Sequence, residues 1–529
     1  MNRSDQLARW RTQPDWDVVV IGGGATGLGV ALDAAVRGFR VALVEATDFA
    51  KGTSSRSTKL VHGGVRYLAQ GDFALVREAL RERSRLLANA PHLAQPLAFV
   101  VPGYAWWQSA FYGLGLKAYG ALAAGHGLGP TRWLSPEQVR ALVPTVRTER
   151  LCGGVSYWDG QFDDARLAVA LARTAAARGA CVLNHVACTG LLHRAGRVEG
   201  LIVRDALTGE TRSMRAACVI NATGVWVDSV RAWDGTPADP PAPPLVSPSQ
   251  GVHLVVDRTF LPTDHALLIP KTADGRVLFA VPWLGKTVLG TTDTPREEAL
   301  AEPVAQRQEV DFILREAGRY LSAAPGLSDI RSIWVGLRPL VRAAHHQDGQ
   351  PMTKTLSREH TVRVDRSGLV SVTGGKWTTY RAMAEDVLAQ AFKAGLLPAR
   401  KANATRRLAL LGAPAQSSHS LTQSPGEHLY GTDAQALHTL PGARTWLWRD
   451  GAGGLTEAMV RFAARVESAC TVEDVLARRS RVLFLDARQA GELARPVAAI
   501  LREELGADFD DAASARAFEA LAAQYLAVP

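Results

Sequence analysis

Asp17-Val18-Val19-Val20-Ile21-Gly22-Gly23-Gly24-Ala25-Thr26-Gly27 opens a unit that closes at Glu45. Four consecutive β-branched residues, Val18 to Ile21, read as a fully buried strand. The glycines break it, and Leu28, Leu32 and Val36 then fall on one side of a helix. A second apolar strand, Val41-Ala42-Leu43-Val44, follows. Gly22 permits the tight turn, Gly24 lets backbone approach a pyrophosphate, and Gly27 lets helix and strand pack closely. The amino end of the helix then faces the anion. Glu45 stands eighteen residues after Gly27, where a carboxylate can accept both ribose hydroxyls. The segment is a dinucleotide-binding βαβ unit.

Two later segments extend that site. Ala217-Cys218-Val219-Ile220 reads as a strand running into Asn221-Ala222-Thr223-Gly224, a second turn where backbone can touch a dinucleotide. Val370-Ser371-Val372-Thr373-Gly374-Gly375-Lys376 is a strand, a glycine pair and a lysine ahead of a helix from Tyr380 to Val387. A helix start placed there can face the pyrimidine edge of a flavin, where reduction builds negative charge. Together these segments favour FAD over NAD.

Between them the chain changes character several times. A polar loop from Lys51 to Tyr67 precedes an amphipathic helix capped by Asp72, with Phe73, Val76, Ala79, Leu80 and Leu87 inward and an Arg/Glu face toward solvent. Cys181 to Ala222 reads as an antiparallel meander broken at Arg194 to Arg197 and at Thr208-Gly209. A proline-rich connection from Pro237 to Pro248 separates it from further strands between Gly251 and Thr291. Beyond Ala384 the chain turns helical, and Thr471-Val472-Glu473-Asp474 predicts a capping box opening a helix that carries Val475, Leu476, Val482 and Leu483.

At 529 residues, with 47% hydrophobic and 21% charged residues, the chain can fill more than one core. Its net charge of +9 suits an anionic substrate, cofactor or lipid surface, but no dense Lys/Arg run points to nucleic acid. Cys152, Cys181, Cys188, Cys218 and Cys470 form no C-x-x-C pair, which fits a reducing cytoplasm and gives no disulfide framework or metal site. Met1 to Trp16 lacks an apolar core, and no run of eighteen apolar residues occurs, so neither export nor membrane spanning is expected.

The loop Gly52-Thr53-Ser54-Ser55-Arg56-Ser57-Thr58-Lys59-Leu60-Val61-His62-Gly63-Gly64-Val65-Arg66-Tyr67-Leu68 closely resembles the FAD-dependent, respiratory glycerol-3-phosphate dehydrogenases. Phe162-Asp163-Asp164-Ala165-Arg166-Leu167, Pro282-Trp283, Gly290-Thr291-Thr292-Asp293-Thr294-Pro295, Gly336-Leu337-Arg338-Pro339-Leu340 and Gly374-Gly375-Lys376-Trp377-Thr378-Thr379-Tyr380-Arg381 are similar to that family in the same order. Val472 to Arg479 resembles its C-terminal domain, so the likeness covers essentially the whole chain. Two positions depart from it: Val225 follows Gly224 where the family commonly has proline, and Trp334-Val335 replaces a more polar pair.

The resemblance implies an α/β chain. It would hold a Rossmann-like FAD-binding domain of the glutathione-reductase/D-amino-acid-oxidase type, an antiparallel-sheet substrate domain and an α-helical C-terminal domain. The expected division is 1–395 for the FAD-dependent region and 396–529 for the helical cap. Within the first, 15–90, 150–230 and 365–395 would bind FAD, and 91–149 with 245–364 would form the substrate sheet. The implied reaction oxidises sn-glycerol 3-phosphate to dihydroxyacetone phosphate, with a hydride passing from C2 to flavin N5 and electrons then reaching a membrane quinone. The implied location is peripheral, on the inner face of the cytoplasmic membrane; a homodimer is left open.

The resemblance also implies site residues. Cofactor contacts would come from Gly22, Gly24, Ala25, Thr26, Gly27 and Glu45; from Thr53, Ser54, Ser55, Lys59, Leu60, His62, Gly63 and Gly64; and from Val186, Ala222, Thr223, Gly224, Gly375, Lys376, Trp377 and Thr378. Arg66, Tyr67, His253, Arg338, Arg358 and Lys376 would line the substrate site, with Arg66, His253, Arg338 and Lys376 closest to the chemistry. A phosphate dianion needs several converging cations, each charge-assisted hydrogen bond contributing on the order of 1.5 to 3 kcal/mol. Arg338 and Arg358 are assigned the phosphate with Tyr67, Lys376 the hydroxyl or flavin O2, and His253 the C2 hydroxyl proton. An oxygen-using oxidase of the same fold and a catalytically silent FAD scaffold are the alternatives. Ala105 to Leu122, with Trp106, Trp107, Phe111, Tyr112 and Lys117, reads either as a segment lying in a lipid interface or as a buried helix.

Overall fold

The computed structural model describes residues 1–64, 72–123, 125–235, 243–342, 359–417 and 419–528. Two large sheets carry the fold. In the first, strand Asp15–Ile21 runs parallel to Val41–Val44 on one side and to Thr211–Asn221 on the other. Cys181–Leu183 extends it beyond Val41–Val44, and Val370–Gly374 extends it beyond Thr211–Asn221, both in parallel. Cys181–Leu183 therefore belongs to the nucleotide sheet, and the expected antiparallel meander begins only at Val186, as Val186–Arg194, Arg197–Asp205 and Thr211–Asn221. Parallel strands are covered on both faces. Val18 to Val20 and Val41 to Leu43 accordingly have no exposed surface. Helix Ala25–Val36 packs across this sheet between helices Asp164–Ala177 and Tyr380–Lys393.

Among the described residues the second sheet is mixed and has ten strands. Val246–Asp257 lies next to one edge of it, antiparallel to both Lys286–Gly290 and the flanking Ile330–Val341. It starts inside the expected proline-rich connection, with Pro248 within the strand. Gly153–Phe162, expected with the cofactor-binding parts, instead pairs with Ala94–Gly103 and Leu60–Val61 in this sheet. Eleven of the twelve residues of Val246–Asp257 are buried, so polar side chains there lie in a desolvated layer.

Asp72 caps helix Phe73–Asn89 by accepting from the Leu75 amide at 3.0 Å. Its inward face differs from expectation: Phe73 is half exposed, and Glu82 and Arg83 are buried. Both are paired: Arg381 donates twice to Glu82, at 2.7 and 2.8 Å, and Arg83 donates to Asp159 at 2.8 Å. An ion pair lets charge occupy an apolar face that periodicity alone assigns to solvent.

In the C-terminal helices, Thr471 Oγ1 accepts from the Asp474 amide at 3.1 Å and opens a short wide-turn helix, Asp474–Arg479. The expected single helix through Leu483 does not form. Arg481 takes a left-handed conformation, φ 68°, and a new helix runs Val482–Leu485. Val475, Leu476, Val482 and Leu483 are all buried, so the apolar reading holds across the break.

Candidate active site

The two glycine turns meet at the carboxyl ends of the parallel strands. Gly22 lies at φ 108°, and a Cβ there would stand 2.7 Å from the Ala222 carbonyl. A Cβ on Gly27 would drive into the Gly22 carbonyl. Gly24 caps helix Ala25–Val36 without a side chain, leaving first-turn amides directed at the turn. One of them, Ala25 N–H, donates to Ser54 Oγ at 2.9 Å. Glu45 accepts from the Gly23 amide at 2.7 Å and the Thr47 amide at 3.0 Å, and burial raises its carboxyl above the usual range.

The remaining cofactor segments are tied to the same place. Trp377 Nε1 donates to the Ser54 carbonyl at 2.8 Å, the Thr373 hydroxyl to the Gly224 carbonyl at 3.1 Å, and the Thr378 hydroxyl to the His62 carbonyl at 3.4 Å. Tyr119 Oη accepts from the Gly63 amide at 2.8 Å. Segments 22–27, 53–64, 222–224 and 375–378 are thus tied together around the bare start of helix Ala25–Val36. That is what an FAD diphosphate requires, an anion facing backbone amides with no Cβ between them.

Two of the expected cofactor contacts are enclosed by protein. Lys59 has no exposed surface; its ammonium donates to the Ser55 carbonyl at 2.7 Å and to Asp164 at 2.8 and 3.0 Å, behind the loop. Val186 is equally enclosed, its amide on the Glu45 carbonyl at 2.8 Å. A buried ammonium needs an acid more than it needs a ligand. Burial lowers the Lys59 pKa to about 7 against the pull of Asp164. The ammonium also faces the rings of Trp334 at 4.5 Å and Trp283 at 5.1 Å.

For the residues expected to line the substrate site, strand register does the positioning. Ser249 pairs with Arg338, Gly251 with Gly336, and His253 with Trp334. Period-two alternation puts all six on one face, with Arg338 and His253 separated by a floor of two glycines. The Arg338 guanidinium lies over Gly251, donating to the Thr292 carbonyl at 3.0 Å and to Thr291 Oγ1 at 3.1 Å. The Arg56 backbone lies over Gly336, bringing the 53–64 loop onto this face. His253 is 2% exposed, stacked on Trp334 with ring centroids 4.2 Å apart. Its Nε2 is 2.9 Å from Thr58 Oγ1. Burial, then Arg338 and Lys59, hold its pKa well below the usual histidine range, so the ring is neutral. Lys376 opens the turn Trp377–Thr379. Arg66, Tyr67 and Arg358 lie outside the described residues.

The C-terminal domain fastens onto the same loop. Arg481 donates to the Ser55 carbonyl at 2.9 Å and to Asp164 at 3.0 Å, and Asp164 also accepts from the Ser57 hydroxyl at 2.7 Å. Asp48, three residues past Glu45, takes both Arg478 and Arg479. Thr58, Asp48, Asp164 and Arg481 escaped sequence reasoning. Asp164 and Thr58 were visible only as parts of family-like motifs, and Asp48 and Arg481 carry no local signal.

Residues 17–384 match the family described as FAD dependent oxidoreductase, and 403–512 match the C-terminal domain of alpha-glycerophosphate oxidase. The mitochondrial glycerol-3-phosphate dehydrogenase of Macaca fascicularis is 38% identical over 540 residues, covering 96% of this chain and 73% of the relative. That of Arabidopsis thaliana is 40% identical over 530 residues, covering 92% and 82%. The glycerol-3-phosphate dehydrogenase of Bacillus halodurans, solved with FAD, superposes with a TM-score of 0.77 at 27% identity over 100% of this chain and 98% of its own. Glycine oxidase from Geobacillus kaustophilus shares the fold at a TM-score of 0.52 and 21% identity, covering 73% of this chain and 96% of its own. The cradle and these likenesses agree, and the chain belongs to the FAD-dependent glycerol-3-phosphate dehydrogenase family.

Proposed function

We propose that this enzyme oxidises sn-glycerol 3-phosphate to dihydroxyacetone phosphate and passes the electrons to a membrane quinone. The observation that carries the reading is the shared sheet face. A cation, Arg338, and a neutral imidazole, His253, flank a two-glycine floor against the flavin-site loop. FAD, when bound, supplies the hydride acceptor at N5. Arg338 holds the phosphate, assisted by Arg66, Tyr67 and Arg358. Lys376 orients the hydroxyl end, and His253 takes the C2 hydroxyl proton. With quinone as acceptor, glycerol 3-phosphate should reduce a soluble quinone analogue without releasing stoichiometric peroxide. One peroxide per substrate would make the enzyme an oxidase instead.

A quinone acceptor calls for contact with lipid at the inner face of the cytoplasmic membrane. Among the described residues no helix is long and apolar enough to cross a membrane. Helix Trp106–Leu122 supports surface contact rather than burial: Trp106 is 83% exposed and Leu114 72%, with Trp107 and Phe111 beside them. The helix contains no acid, and Lys117 reaches over the Trp133 ring at 4.2 Å. Interfacial tryptophans and a cation suit an anionic headgroup layer. Trp106→Glu with Phe111→Glu should abolish co-flotation with anionic liposomes; unchanged flotation would remove this helix from the contact.

A further inference from the structure

We infer that Thr58 is a positioning residue for proton transfer: its hydroxyl accepts from Nε2–H of His253 and so leaves the Nδ1 lone pair to receive the C2 hydroxyl proton. The inference rests on the reading of His253 as the base.

Three observations carry it. His253 Nε2 and Thr58 Oγ1 stand 2.9 Å apart, and Nδ1, also enclosed, makes no hydrogen bond among the described residues. The ring is neutral, so one nitrogen carries hydrogen and the other a lone pair. Were Thr58 the donor, Nδ1–H would be the buried group without a partner, and orphaned donors are rarer than orphaned acceptors. The tautomer that leaves a lone pair at Nδ1 is the cheaper one and also the one a base requires.

The hydroxyl is held in place from both sides. Ser57 donates its amide and hydroxyl to Asp164 at 3.1 and 2.7 Å, and Lys59 donates to the same carboxylate. Thr58 sits between these two anchors, and Arg481 holds the Ser55 carbonyl from the C-terminal domain. The ring in turn is fixed by stacking on Trp334.

The step balances. The substrate O–H bond breaks toward Nδ1, its electron pair forms the C2 carbonyl, and the hydrogen on C2 leaves with its electron pair to bound oxidised FAD. The charged groups bearing on the imidazole are Arg338 and Lys59, with Asp164 and Arg481 behind Lys59. A phosphate dianion paired with Arg338 offsets one of the two cations that disfavour imidazolium, so proton acceptance becomes easier when substrate is bound.

Thr58→Val and Thr58→Ser, each as FAD-loaded protein, test this against His253→Asn. Thr58→Val should slow anaerobic flavin reduction by about 10- to 100-fold with FAD retained and KM changed far less, and should shift the pH profile. Thr58→Ser should restore most of the rate. Ring-nitrogen NMR of histidine-labelled holoenzyme should show one histidine, absent in His253→Asn, changing tautomer balance in Thr58→Val. If His253→Asn is slow while Thr58→Val reduces within twofold of the parent and keeps the tautomer, the positioning role is overturned alone. If His253→Asn is as fast as the parent, the base reading itself fails. Should Thr58→Val lose FAD, Thr58→Ala under the same NMR readout decides.

Discussion

Replacing Asp48 by Asn should loosen the C-terminal domain from the nucleotide-binding sheet. Asp48 has no exposed surface and accepts from Arg478 and from two nitrogens of Arg479, one at 2.9 Å, with Asn184 donating at 3.0 Å. Burial alone would raise its carboxyl; Arg479 and Arg478 hold it below the usual range. Neither arginine can shed its proton. Arg478 keeps Asp474 and Glu473, but Arg479 has no other carboxylate partner among the described residues and falls back on the Glu467 carbonyl. Breaking a buried pair on one side costs about 3–5 kcal/mol. At roughly 2–4 °C per kcal/mol, the midpoint of thermal flavin release should drop on the order of 10 °C. A double variant, Asp48→Asn with Arg479→Met, should lose less than the sum of the two singles, because it removes the stranded charge. A single-variant midpoint within about 1 °C of the parent, far below that cost, would refute the argument that this pair fastens the domains.

Gly27→Ala should prevent FAD retention, since its Cβ meets the Gly22 carbonyl; flavin-to-protein stoichiometry after purification measures it. Arg338→Ala should raise KM and lower kcat, reducing kcat/KM by about 10- to 100-fold for one charge-assisted contact, with FAD still bound. For the His185–Asp474 pair at 2.9 Å, burial lowers the imidazole pKa but Asp474 outweighs it, so the folded value stands above 6.5. The folded state then holds more protons above pH 6.5, and the pair's stabilisation, complete below that value, is lost as pH rises through the raised one. His185→Gln should flatten that part of the thermal stability profile.

The nucleotide unit could be read because every part of it is local: a β-branched run, three glycines at fixed spacing, an apolar helix stripe and an acid at the end of the next strand. The substrate sheet was legible as strands but not as register. Register is what sets Arg338 and His253 on one face across two glycines. The Trp334 departure from the family pattern reads as a packing change, and in the fold it is the ring that stacks on His253. Pairings such as Lys59 with Asp164, Asp164 with Arg481, and Thr58 with His253 join residues more than a hundred positions apart, so no window of sequence contains both partners. Buried charge also defeats periodicity, as Glu82 and Arg83 demonstrate on a face expected to meet solvent.

Mixing the purified yellow protein with glycerol 3-phosphate under anaerobic conditions tests the central claim most directly. The account predicts that the visible flavin band disappears in one turnover while one dihydroxyacetone phosphate forms per flavin. A flavin that stays oxidised with substrate in excess, yet bleaches with dithionite, would contradict it.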